Sequence, residues 1–127
     1  MRLMAIAILL LVGNVAMADA PSGSGQASWW VSPCTDFVIE VESPSSLSSS
    51  QVTFAALCQG FMTAVAAVNY ANPPYLPFCV RGTDTPYKYA KLFVRFMLAH
   101  PEYSDKNIGL EVLVALASAR PRSECSR

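Results

Sequence analysis

Four cysteines (Cys34, Cys58, Cys79 and Cys125) follow an N-terminal stretch built like an export signal. Together these restrict the chain to a small fold stapled by disulfides. Arg2 supplies a positive start, Met4 to Val12 is an unbroken apolar run, and Ala16-Met17-Ala18 is a small-x-small cleavage signal. A second signal, Ala18-Asp19-Ala20, would place Pro21 after the scissile bond, so cleavage is expected after Ala18. The apolar run falls short of the about 20 residues that a helical membrane span needs. The first cysteine, Cys34, lies too far beyond it for lipid attachment, so a soluble exported protein is expected, with no membrane association after cleavage. An even cysteine count in an oxidising compartment reads as two disulfides. No pair has the C-x-x-C spacing of a zinc site, and neither a metal nor another cofactor is expected.

Removing 18 of the 127 residues leaves 109, enough for one small domain and too few for two. Eight basic residues remain once Arg2 is removed, against nine acidic ones. That balance speaks against a nucleic-acid partner and against a polybasic membrane patch.

After the signal (1–18), residues 19–50 read as a loose leader and linker. DAPSGSGQA (19–27) is small and polar, and SPSSLSSS (43–50) has no apolar face to bury. Between them, Asp36 to Val41 reads equally as a short strand or one helical turn. Residues 51–127 read as an all-α bundle. Ser48 and Gln51 stand in capping-box spacing. From there Phe54, Leu57, Cys58, Phe61, Met62, Val65 and Val68 recur as one helix face, ending near Tyr70 before Asn72-Pro73-Pro74. Thr85 is an N-cap with Pro86 at the first helical position. Tyr89, Leu92, Phe93, Phe96, Met97 and His100 then form a stripe opposite Lys88, Lys91 and Arg95. The last helix starts near Ser104, capped by Ser104 or Asp105. It is apolar nearly all round, with Glu111 as its main charged interruption, so it is expected to be buried on most sides, either centrally in the bundle or in an oligomer.

His100 is the single histidine, and it reads as the place where a helix stops. Pro101 disfavours helix at the residue before it, and a histidine in the last turn suits the helix dipole. A glycosidase-type enzyme would need two carboxylates facing each other across a cleft. Asp36, Glu40, Glu42, Asp84, Glu102, Asp105 and Glu111 read instead as caps and solvated loop charges. No enzyme activity is expected.

The ordered set CQGFM (58–62), FCV with Cys79, an amphipathic helix, HPE (100–102), an alanine-rich helix and a terminal Pro…Cys resembles the Rap/Tai immunity proteins of type VI secretion systems. That family shows C-x-G-Y-I, C-I-P, L-x-x-H-P-E and A-L-x-x-A-F-P-C in this order. Gly60, Phe61, Met62, Cys79, His100-Pro101-Glu102, Ala115-Leu116 and Pro121 stand at matching positions over residues 55 to 125. The chain departs from the pattern at Ala64 and Ala67, at Arg81 in place of proline, and in a final cysteine three residues late. The resemblance implies a periplasmic helical protein that binds and blocks a secreted effector, in the better-known members a peptidoglycan amidase, often as a homodimer. Other exported binding modules, such as an envelope chaperone or a lysozyme inhibitor, are alternatives.

Topology supplies a disulfide expectation. Two helices joined by the short turn 101–104 should run antiparallel, which sets Cys79 near Cys125 and leaves Cys34 for Cys58. An inhibitor of a cleft enzyme needs a protruding element, and two loops qualify. YANPPYLPF (70–78) offers Tyr70, Tyr75 and Leu76 on a proline-stiffened backbone, and HPEYSDK (100–106) offers Glu102, Tyr103 and Asp105. The first is favoured, because its aromatic residues lie outside any helical stripe.

Overall fold

A computed structural model describes residues 22–71 and 73–125. The signal-peptide reading and the cleavage after Ala18 lie outside the described residues. Within them the chain is all-α: α1 (Ala27–Glu42), α2 (Ser49–Ala71), α3 (Pro86–Ala99) and α4 (Ile108–Ala119), linked by short 3-10 turns. The two disulfides are Cys34–Cys58 and Cys79–Cys125, the pairing that topology predicts.

The helix starts follow local chemistry. The Ser48 amide donates to Gln51 Oε1 at 3.0 Å and the Gln51 amide to Ser48 Oγ at 3.4 Å, the reciprocal capping box. Thr85 accepts from the Lys88 amide at 3.2 Å, with Pro86 in the first turn. Neither Ser104 nor Asp105 caps α4. Ser104 Oγ bonds back to the Pro101 carbonyl at 2.6 Å, closing a 3-10 turn over Pro101–Tyr103. Asn107 caps instead, its Oδ1 accepting from the Gly109 amide at 2.9 Å.

The region read as leader and linker contains a full helix. The helical unit therefore begins at Ala27, not at residue 51. α1 carries Pro33 in its interior, which removes the amide that would reach the Trp29 carbonyl. Burial outweighs that loss: Ala27, Pro33, Cys34 and Phe37 are buried, and α1 packs more extensively on α2 than any other helix pair. The start of α1 is also held by backbone, with the Ala27 amide on the Lys106 carbonyl at 2.8 Å and the Ile108 amide on the Gly25 carbonyl at 3.1 Å.

α2 carries no charged residue in 23 positions and is long and apolar enough to cross a bilayer. One side of it is built into the bundle against α1 and α3. That side overlaps the expected stripe only in part. Cys58 and Met62 are buried and Phe61 and Val65 pack partly buried against the core, whereas Phe54, Leu57 and Val68 are exposed and Ala55 and Asn69 are buried from outside the stripe. The Cys34–Cys58 bond sets this orientation, because it turns Cys58, and with it the residues three before and four after, toward α1. In α3, Tyr89, Phe93 and Met97 fill the core as their spacing predicts.

Ile108, Val112, Ala115 and Leu116 of α4 point inward while Leu110 is exposed, so the bundle by itself does not enclose this helix. Glu111 also points inward, with 2% of its surface exposed and Oε2 lacking a partner. Asp36, Asp84 and Glu111 are all shielded from water, so these carboxylates are not solvated loop charges. Burial pushes the Glu111 carboxyl above the ordinary glutamate value, with Lys106 opposing weakly. Glu111→Met keeps the volume and removes the uncompensated charge, so it should stabilise the protein by about 1–2 kcal/mol at neutral pH. Thermal melting at pH 7 checks this, and a lower melting temperature would mean that an unseen partner satisfies Glu111.

Candidate partner-binding surfaces

The bundle holds the two predicted loops at opposite ends. Residues 77–79 lie beside the end of α4, with the Cys79 amide on the Arg120 carbonyl at 3.0 Å and the Arg122 amide on the Pro77 carbonyl at 3.3 Å. The 100–107 turn lies beside the start of α1, with the Ser28 amide on the Ser104 carbonyl at 3.0 Å. α3 separates them, and its 14 residues span about 21 Å. Tyr70, Tyr75 and Leu76 therefore lie toward one end of the bundle, and Glu102, Tyr103 and Asp105 toward the other.

The proline loop is anchored at its base and open at its tip. Phe78 is fully buried with its ring edge-on to Tyr89 at 6.5 Å, and Cys79 is fixed by its disulfide. Leu76 packs partly against the core, and its carbonyl accepts from Arg122 Nη1 at 2.9 Å. Tyr75 is 88% exposed and Tyr70 is exposed at the end of α2. The loop thus divides into a structural half and a presented half. Tyr75→Ala should leave melting unchanged, whereas Leu76→Ala should cost about 1–2 kcal/mol in packing. Differential scanning calorimetry of the two single variants would decide, and equal melting temperatures would refute this division.

The opposite turn is more committed to itself. The Tyr103 ring lies 5.4 Å from Phe96, and His100 lies 4.5 Å from Phe96. His100 is the C-cap of α3, as its place before Pro101 predicts, and its Nδ1 sits 3.0 Å from Glu102 Oε1. The Glu102 carboxyl is held below the ordinary glutamate range, first by its own backbone amide and then by His100. Asp105 is exposed, 3.7 Å from the Lys106 ammonium. Among the described residues no group of three or more His, Cys, Asp or Glu is placed to hold a metal ion.

Two further surfaces escaped the sequence reading. Trp29, Trp30, Phe54 and Phe61 form a half-exposed aromatic cluster across α1 and α2, with Trp30 on Phe61 at 4.8 Å and Trp30 Nε1 donating to the Ser24 carbonyl. The second lies along the outside of α3, where Leu98 is exposed beside Arg95. Its signal was in the sequence: Leu98 follows Lys91 and Arg95 at helical spacing, so an apolar residue interrupts the polar side.

Comparison with known proteins finds no matching family model, no matching curated protein and no matching solved structure.

Proposed function

We propose that this chain is a periplasmic immunity protein that binds a type VI secretion effector, a peptidoglycan amidase, and blocks its active-site cleft. The reading rests on the motif order it shares with Rap/Tai proteins. The single observation that supports it best is the presentation of Tyr75: an exposed aromatic residue at the tip of a proline loop whose base is buried and disulfide-tied. Such a loop loses little conformational entropy on entering a cleft, and tyrosine supplies apolar area with few rotatable bonds. The two disulfides suit an oxidising compartment. No catalytic role is assigned to any residue.

The test is to mix the mature chain with the amidase-like product of the neighbouring gene and measure complex formation and peptidoglycan hydrolysis. A stoichiometric complex with lost hydrolysis is expected. Tyr75→Ala should then weaken binding at least about tenfold, or about 1.4 kcal/mol. No complex at micromolar concentration would refute the reading, and a complex insensitive to Tyr75 would shift the contact to Tyr103 and Asp105.

One observation favours a second reading, an envelope chaperone. One side of α2 presents Phe54, Leu57 and Val68, with no charged residue on that helix. Such a face suits transient capture of apolar segments. Suppression of aggregation of an unfolded test protein, abolished by Leu57→Gln, would support it over effector binding.

A further inference from the structure

The outer ridge of α3 is flanked by two open grooves. One, of about 610 Å³, lies between α1 and α3, walled by Val38, Leu92, Val94 and Leu98 with Lys91 and Arg95 among its lining. The other, of about 380 Å³, lies between α3 and α4. Leu92, Arg95 and Ala99 line both, so Arg95 stands where the two meet. Leu98, in the first groove, is 72% exposed.

The charges around this surface are unevenly matched. Lys91 is neutralised by Glu42 at 2.9 Å, and His100 faces Glu102 at 3.0 Å. Arg95 forms no ion pair among the described residues. Among the described residues, one guanidinium without an ion-pair partner therefore borders apolar walls left open to solvent.

We propose that this double groove binds a monomeric anionic amphiphile, a medium-chain carboxylate, with its head group on Arg95 and its alkyl chain along Val38, Val94 and Leu98. A guanidinium presents a planar fork that matches a carboxylate and is more weakly hydrated than an ammonium. The larger groove falls within the size range of small-molecule sites, about 300–1,000 Å³. From Lys91 to Ala99 the floor runs about 12 Å, which suits a single alkyl chain rather than a folded partner. A bilayer surface is the weaker match, because adhesion to anionic lipid draws on clusters of about 4–8 cations, and here one of two is already paired. This site stands apart from the proposed effector contact and does not depend on it.

Sodium decanoate, titrated below its micelle concentration into the mature chain, is the probe, followed by methyl NMR. Saturable shifts at Val38, Leu92 and Leu98 are expected. Arg95→Gln and Leu98→Gln, both at exposed positions, should each weaken binding at least about fivefold with melting unchanged. Decyltrimethylammonium, with the same chain and the opposite charge, should bind at least about fivefold more weakly than decanoate. Equal affinity for the two amphiphiles, or undiminished binding in Arg95→Gln, would overturn the site. So would binding to phosphatidylglycerol vesicles without binding to decanoate, which would make the face a membrane-contact surface. Sedimentation of the free protein as a dimer that Leu98→Gln dissociates would also overturn it, since a second copy would then occupy the groove.

Discussion

Loss of the Cys34–Cys58 bond should destabilise this protein more than loss of Cys79–Cys125, although it closes the shorter loop. The chain-entropy estimate runs the other way. It gives about 4 kcal/mol for the separation of 46 residues and about 3.5 kcal/mol for the separation of 24. Packing reverses the order. Cys34 and Cys58 are completely buried, between helices whose mutual contact is the most extensive in the fold, whereas Cys125 is exposed near the chain end. Alanine at both buried sites removes two sulfurs from a close-packed core, adding about 1–2 kcal/mol to the entropic loss. A domain of this size has only about 5–15 kcal/mol of net stability. The Cys34→Ala/Cys58→Ala variant should therefore be largely unfolded at 37 °C. The Cys79→Ala/Cys125→Ala variant should fold with its melting temperature lowered by about 15–30 °C. Denaturant unfolding of both pairs checks the ranking, and a more stable Cys34/Cys58 variant would show that loop entropy alone governs.

The contrast between these bonds also explains which elements were legible in the sequence. Cys79–Cys125 follows from α3 and α4 being antiparallel neighbours. Those two helices were readable because Thr85-Pro86 and His100-Pro101 mark the ends of α3, and its cations lie opposite its aromatics. α2 was readable as a helix but only in part as a face, since Cys58, Phe61, Met62 and Val65 turn toward the core while Phe54, Leu57 and Val68 do not. With no charge in 23 residues, its periodicity has no polar side to point away from the core. Bulk was the remaining guide, and it misled, because the close α1–α2 contact admits Ala55 and Cys58 where Phe54 and Leu57 do not fit. The Cys34–Cys58 pairing that topology predicts carries the missing orientation, since Ala55 lies three residues before Cys58 on the same side of the helix.

α1 was hidden for a different reason. Ser32-Pro33-Cys34 reads locally as a loop, and only tertiary burial of Pro33, Cys34 and Phe37 keeps the helix continuous through it. Glu111 was hidden because an apolar helix with one charge suggests a charge facing water. Here Leu110 takes the outward position instead. Of the candidate contact residues, exposure of Tyr75 and Tyr70 was inferable from their lying outside a stripe. The partial burial of Leu76 was not, because it depends on packing against the core cluster assembled by residues distant in sequence.

Asp84→Ala should cost about 3–5 kcal/mol, and the reason lies in what it leaves behind. Asp84 joins the approach to α3 to the end of α4. It accepts from the Arg81 amide at 2.9 Å, from the Tyr89 hydroxyl at 3.2 Å and from the Arg120 guanidinium. The Asp84 side chain is 5% exposed and that of Arg120 12%, so removing one strands the other as a buried unpaired charge. Adding Arg120→Met to Asp84→Ala should recover much of the loss, because two apolar groups need no partner. Asp84 also sets the acid limit. Burial alone would raise its carboxyl, but the Arg81 amide, Arg120 and Tyr89 together hold it below the ordinary aspartate value of 3.8. A depressed folded-state value means stability that is fully present above 3.8 and is lost as pH falls through the folded value. Glu111 acts with the opposite sign: its raised carboxyl weakens the fold at neutral pH, and this is relieved as pH falls toward the ordinary glutamate value of 4.5. Melting temperature should therefore rise from pH 7 toward the mildly acidic range and fall below about pH 4. In Glu111→Met the rise should vanish and the fall remain, and in Asp84→Ala/Arg120→Met the fall should be blunted and the rise remain. A rise that survives Glu111→Met would assign it to another group, and a steep acid loss in the Asp84/Arg120 variant would show that this ion pair does not govern it.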